Sequence, residues 1–232
     1  AVAGLDLDVP AGAFVGLVGQ NGAGKTTLLS IATGLLRPDA GRVQILGHDL
    51  WADPPTAKAL IGALPDGVRL FDRLTGRELL VYQARLRGID RGTAAHRADE
   101  LLDALGLGEV ADVLVMEYSA GMAKKVALGC ALVHGPRVLV LDEPFEAVDP
   151  VSAAVIRGLL RQVVDGGGTV VLSSHVMEVV ERLCDHVAVI DRGRVVAAGP
   201  LETVTDGATL EERFVRLVGA RTLGADLSWI GQ

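Results

Sequence analysis

The segment Gly19-Gln20-Asn21-Gly22-Ala23-Gly24-Lys25-Thr26-Thr27 constrains this chain more than any other. It fits the pattern G-x-x-x-x-G-K-[ST], and it lies between an apolar run, Phe14 to Val18, and a stretch of helical periodicity that begins at Lys25 and ends near Leu35. Strand, glycine loop and helix in that order are the context in which the motif has a mechanism. Glycines let the backbone curl until successive N–H groups point inward, and the helix starting at Lys25 aims the positive end of its dipole at the same place. The loop therefore reads as a cradle for nucleotide phosphates. Lys25 is expected to reach the β- and γ-phosphates, and Thr26 to place its hydroxyl on Mg2+.

A second group of residues fits the same chemistry. Val138-Leu139-Val140-Leu141 is an apolar run that ends in Asp142-Glu143, and the carboxyl ends of strands are where an open α/β sheet places its ligands. Asp142 is expected to hold the Mg2+ through water, and Glu143 to polarise or deprotonate a water that attacks the γ-phosphate. His175 follows Val170-Val171-Leu172-Ser173-Ser174 and so stands at another strand end. There it would be a hydrogen-bond donor to the γ-phosphate or to the attacking water.

Composition narrows the remaining choices. With Lys+Arg 22 against Asp+Glu 29 and a net charge of −7, no sequence-wide positive field favours nucleic acid or anionic lipid. The mean hydropathy of +0.38 raises the question of a membrane span, yet no apolar run approaches the roughly 18 residues that a spanning helix needs. Cys130 and Cys184 lie in apolar helical contexts without metal-ligand spacing and read as reduced core thiols of a cytosolic protein. There is neither a signal peptide nor an initiator Met, from which we expect the sequence to start inside its natural gene product. Glycine is in excess, 29 of 232 residues, against a usual share of about 7%. Part of that excess is the phosphate loop; Gly88, Gly106 and Gly166 to Gly168 read as helix stops and turns.

Along the chain, Arg42 to Leu46 and Leu60 to Leu64 read as short strands, the second closed by Pro65. From Leu74 to about Gly135 the pattern is helical, opened by a capping box of Thr75 and Glu78. After Pro136 strands and helices alternate, with helices from Pro150 to Val164 and around Val176 to Leu183, which implies a parallel sheet. Val187 to Ile190 and Val195 to Ala198 flank Asp191-Arg192-Gly193-Arg194 as a hairpin, and a last helix begins near Thr209, with Glu212 as its capping partner. The expected architecture is an α/β P-loop NTPase core, residues 1–73 and 136–232, with a mostly parallel sheet and a small antiparallel β subdomain. Residues 74–135 form an inserted helical subdomain. The apolar tail Leu227-Ser228-Trp229-Ile230 is expected to pack on its own domain.

The order of Gly19 to Thr27, Tyr118-Ser119-Ala120-Gly121-Met122, Val138 to Glu143, Asp149 and His175 resembles the ATP-binding cassette (ABC) ATPases across nearly the whole chain. Arg37 to Gly47, Leu74 to Leu80, Tyr118 to Pro150 and Thr209 to Gly219 look most like the ATPase subunits of ABC-2-type exporters, including drug-resistance exporters. The resemblance implies a head-to-tail homodimer that sandwiches two ATP molecules, each held by one subunit's phosphate loop and the other's signature. Ser119 and the Gly121 N–H would complete the γ-phosphate cage in trans, and Asp149 would communicate across the dimer. The implied partner is a separate transmembrane permease rather than a nucleic acid, with the ATPase peripheral on the cytoplasmic face of the membrane.

Three departures from the family pattern stand out. The usual signature Leu-Ser-Gly-Gly-Gln has Tyr118, Ala120 and Met122 in place of Leu, the first Gly and Gln. The loop after Leu60 to Leu64 carries Asp66 where the family has a Mg2+-sensing glutamine; a carboxylate can ligate the ion but cannot donate as an amide does. The family's adenine-stacking aromatic would lie upstream of Ala1. Two alternatives stay open at this level: a non-hydrolysing or weakly hydrolysing nucleotide-binding module, motivated by Asp66 and Met122, and a soluble ABC-type ATPase unconnected with transport.

Overall fold

The computed structural model describes residues 2–219; the tail segment 227–230 lies outside them. In chain order the elements are β1 (Phe14–Val18), α1 (Lys25–Ala32), β2 (Gln44–Ile45), β3 (His48–Asp49), α2 (Pro54–Ala59), β4 (Ile61–Leu64), α3 (Gly76–Leu86), α4 (Arg91–Ala104) and α5 (Ala120–Leu132). They continue with β5 (Val138–Leu141), α6 (Pro150–Asp165), β6 (Thr169–Ser174), α7 (Met177–Leu183), β7 (His186–Asp191), β8 (Arg194–Pro200), α8 (Leu201–Thr205) and α9 (Leu210–Val218).

A six-stranded sheet runs in the order β4-β5-β6-β1-β7-β8. The first five strands are parallel, and β8 pairs antiparallel with β7. β1 is buried at every position because it lies inside the sheet and is covered on both faces. Its alternate residues feed two cores: Phe14 and Val18 join Leu139, Leu141 and Leu172 on one side, while Val15 and Leu17 join Leu29, Val140 and Ile190 on the other. An all-apolar run is what a strand with two dry faces requires. β2 and β3 form a separate two-stranded antiparallel hairpin.

Several boundaries differ from the sequence pattern, each for a local reason. α1 ends at Ala32 rather than near Leu35, because Gly34 takes a left-handed backbone and the N–H groups of Leu35 and Leu36 fold back onto Ser30 O. The strand expected over Arg42 to Leu46 shrinks to two residues: Leu46 and Gly47 both adopt positive φ and make a tight reversal. A leucine in that conformation carries no turn signature. The short helices α2 and α8 were invisible to periodicity, being six and five residues long.

The capping boxes at Thr75/Glu78 and Thr209/Glu212 form as expected. The hairpin of β7 and β8 also forms, with a register shift between Val189 and Ile190. Cys130 and Cys184 are free thiols, and burial pushes each up to about 12, far from nucleophilic range. No helix among the described residues is long and apolar enough to cross a membrane.

Candidate functional site

The parallel register gathers the expected phosphate-binding and acidic residues on one edge of the sheet. Val18, the last residue of β1, pairs with Ser174 of β6, so the glycine loop and His175 leave adjacent strand ends together. Leu172 of β6 pairs with Leu141 of β5, which sets Asp142 beside Ser173. Asp142 N donates to Leu64 O of β4 at 2.8 Å, and Asp66 lies just beyond that strand. Asp66, Asp142 with Glu143, His175 and Gly19 thus follow one another along the carboxyl edge, the place where sheets of this class hold ligands.

Within the loop, Lys25 is only 7% exposed. Its Nζ donates to Gly19 O at 2.7 Å and Gln20 O at 3.5 Å, and no ion pair among the described residues engages it. A buried ammonium answered by carbonyls alone lacks the counter-charge it needs, and an anion is the group that fits. Gly24 stands at the N-cap of α1 with φ 110° and supplies no side-chain cap, so the first N–H groups of α1 stay open to a ligand. Asn21, Gly22 and Thr26 are exposed, Thr27 is half-buried and Ala23 is buried. The loop is braced from behind. A Cβ on Gly19 would collide with the Ile190 carbonyl oxygen at the end of β7, and Gly193 N, in the β7–β8 turn, donates to Ala23 O at 2.7 Å.

The acidic end of β5 is organised by hydrogen bonds that the sequence alone did not reveal. Asp142 is 3% exposed and Ser173 fully buried. Ser173 Oγ donates to Asp142 Oδ1 at 2.5 Å and accepts the Glu143 N–H at 2.9 Å. Glu143 has φ 46°, the left-handed region, a strain that clusters at functional sites. That turn brings its Oε2 to 3.0 Å from His175 Nδ1. His175 therefore engages the expected base itself, with its ring half-exposed. Asp66 is exposed, and its Oδ1 accepts the Gly67 N–H of its own turn at 2.8 Å; no hydrogen bond among the described residues joins it to Asp142 or Thr26.

The signature segment has its own set of contacts. No hydrogen bond or ion pair among the described residues ties Tyr118 to Met122, or Asp149, to the phosphate loop, Asp142, Glu143 or His175. Ser119 is the N-cap of α5, and its hydroxyl accepts the Met122 N–H at 3.3 Å. Asp149 caps α6 in the same way, accepting from Ser152 N at 2.9 Å and Val151 N at 3.0 Å. The Ser152 N–H and hydroxyl, with Val151's N–H, hold its carboxyl below the usual range. The two caps meet at Gly121, where a Cβ would lie 2.9 Å from Asp149 Oδ2 and 3.1 Å from Ser152 Oγ. Ser152 is a contact with no sequence signal.

Two departures in the signature have local compensation. Tyr118 donates its hydroxyl to Val110 O at 2.8 Å and fills the space left by the missing side chain of Gly76. Burial, with Asp112 nearby, pushes its phenol above the usual value. Met122 packs against the core.

Among the described residues no group of three or more His, Cys, Asp or Glu side chains is placed to hold a metal ion. The candidate ligands Thr26, Asp142 and Asp66 are all oxygen donors, which suits Mg2+, an ion that takes few protein oxygens and completes its shell with phosphate and water.

The comparisons agree with this geometry. The family model described as "ABC transporter" matches residues 2–146. The chain is 41% identical to the daunorubicin/doxorubicin resistance ATP-binding protein DrrA of Streptomyces peucetius, over 86% of this chain and 60% of that protein. It is 37% identical to the linearmycin resistance ATP-binding protein LnrL of Bacillus subtilis, over 85% of this chain and 64% of that one, so it spans less than two thirds of either relative. A solved ATP-binding subunit of an ABC transporter superposes with a TM-score of 0.86 at 30% identity, covering 93% of this chain and 92% of that one. An ATP-binding cassette solved as a dimer in a post-hydrolysis state with ADP and Pi gives 0.78 at 25% identity, covering 86% and 90%. By motif order, sheet topology and sequence alike, the chain belongs to the ABC transporter family.

Proposed function

We propose that this chain is the ATP-binding and hydrolysing subunit of an ABC-type exporter, working as a homodimer on the cytoplasmic face of the membrane with a separate transmembrane permease. One observation carries the reading. Lys25, buried without a carboxylate partner, opens on the same sheet edge as Asp142, Glu143 and His175. Residues 19–27 would wrap the phosphates, with Thr26, Asp142 and Asp66 supplying oxygens to Mg2+, which when bound offsets charge on the β- and γ-phosphates.

Glu143 would take a proton from the water whose oxygen bonds to the γ-phosphorus, while the bond from that phosphorus to the β–γ bridging oxygen breaks, leaving ADP and inorganic phosphate. With Glu143 ionised, the proton between it and His175 sits on Nδ1. His175 Nε2 then donates to phosphate only when the ring carries both protons. Ser119 and the Gly121 N–H would reach the γ-phosphate of the partner's nucleotide, with Asp149 linking the two sites. Residues 74–135 would move as a helical unit against the nucleotide-binding core and pass that motion to the permease. The drug-resistance ATP-binding proteins among the relatives support an export role.

Mg2+-dependent phosphate release from the purified protein tests the proposal. The position of Asp66, bonded within its own exposed turn, favours the competing non-hydrolysing reading. Tight ATP binding without release would establish that reading and overturn ours.

A further inference from the structure

The hydrogen bonds at Ser173 have only one consistent arrangement of protons. A backbone N–H can only donate, so Ser173 Oγ accepts from Glu143 N, and its single hydroxyl proton is committed to Asp142 Oδ1. One oxygen of Asp142 is thereby occupied inside the protein. The other, Oδ2, makes no hydrogen bond among the described residues and is the oxygen free for a ligand. The same hydroxyl anchors the first peptide of the strained turn at Glu143, whose φ of 46° sends the side chain to His175. Ser173 itself is fully buried, and so is its bond to Asp142, where a hydrogen bond left unmade is costly.

We propose that Ser173 is a positioning residue for this ATPase: it selects the oxygen and orientation that Asp142 presents to Mg2+, and it fixes the backbone from which Glu143 acts. The inference rests on the ATPase reading. It needs no contact between Ser173 and the nucleotide, since it acts through two groups that make one. Outer partners that orient a metal's ligand commonly alter affinity or activity by about 10- to 100-fold when removed, and Ser173 serves two functional groups at once.

The test compares the parent, Ser173→Ala and Ser173→Thr in two assays on the purified protein. One is phosphate release against free Mg2+; the other is the gain in affinity for a non-hydrolysable ATP analogue when Mg2+ is added. Ser173→Ala is expected to need about 10- to 100-fold more Mg2+ for half-maximal release and to lose most of the Mg2+-dependent gain, while its affinity for the analogue without Mg2+ stays at the parent's value. Ser173→Thr keeps the hydroxyl and is expected to regain most of the loss.

A parental Mg2+ dependence in Ser173→Ala would overturn the inference, as would equal damage from Ala and Thr, because volume rather than the hydroxyl would then be what matters. Should Ser173→Ala not fold, Ser173→Cys, with a similar shape and a weak donor, carries the same comparison. If the parent releases no phosphate, the ATPase reading falls, and the analogue assay still decides whether Ser173 sets the metal response.

Discussion

Two helix N-termini in this chain carry the residues proposed to face phosphate, and they are built in opposite ways. α1 starts from Gly24, which offers no side chain to its own N–H groups; α5 starts from Ser119, whose hydroxyl already serves Met122 N. The first has a buried cation beside it and a rigid backing, Ile190 O and the Gly193 N–H, both backbone groups. The second is exposed at Ser119 and Ala120, and its close neighbours at the buried Gly121 are the side-chain ends of Asp149 and Ser152. The difference teaches that an uncapped N-terminus depends on a ligand to satisfy it, whereas a self-capped one is stable alone and can wait for a partner.

Experiments that break or sharpen this contrast differ in size. The largest effect belongs to the α1 side: Glu143→Gln is expected to slow phosphate release by about 10²- to 10⁴-fold, with nucleotide binding retained in equilibrium titration. Equal release from the variant would remove Glu143 as the base. Next is the backing of the loop. Gly19→Ala forces a methyl against a backbone carbonyl, and urea denaturation should register a loss of about 1–3 kcal/mol.

On the other side, Ser119→Ala removes a helix cap and should cost about 1 kcal/mol in the same assay. Gly121→Ala should cost less still, since two side-chain ends can yield and alanine favours the helix by roughly 0.5–1 kcal/mol. If Gly121→Ala proves as damaging as Gly19→Ala, the distinction between a rigid and a yielding site is wrong.

The smallest effect concerns the far end of α5, where the chain that leaves it meets β4. His134, just after α5, bonds through Nε2 to Ile61 O at the start of β4, and its Nδ1 is buried with no partner among the described residues. Burial first, then Arg87 and Arg97, hold the ring below its usual 6.5. The unfolded chain therefore takes up this proton more readily than the folded one. The contribution is complete above about pH 6.5 and is lost progressively as pH falls toward the lowered folded value. The urea midpoint should fall between pH 7 and pH 5, and His134→Gln should flatten part of that slope; an unchanged slope would exclude His134 as its source.

Much of the architecture was legible because its signals are strong and local: an apolar run into Gly19–Lys25, another into Asp142-Glu143, and capping boxes at Thr75 and Thr209. What escaped depends on partners distant in sequence. Nothing near Ser173 says that it faces Asp142; only the register of β5 against β6 does. The reversal at Leu46-Gly47 was hidden because a leucine took a backbone that normally selects other residues. His175 was expected to face phosphate, and its bond to Glu143 depends on a left-handed φ that no periodicity encodes.

The brace behind the phosphate loop has a consequence for engineering. Because Gly19 fits against Ile190 O and Ala23 O is held by Gly193 N, the nine-residue motif is not a transferable cartridge. Grafted onto another parallel sheet without a strand and turn equivalent to β7 and its hairpin, it would keep its letters and lose its shape. The smallest unit that could be transplanted is therefore a discontinuous one, drawn from both ends of the chain.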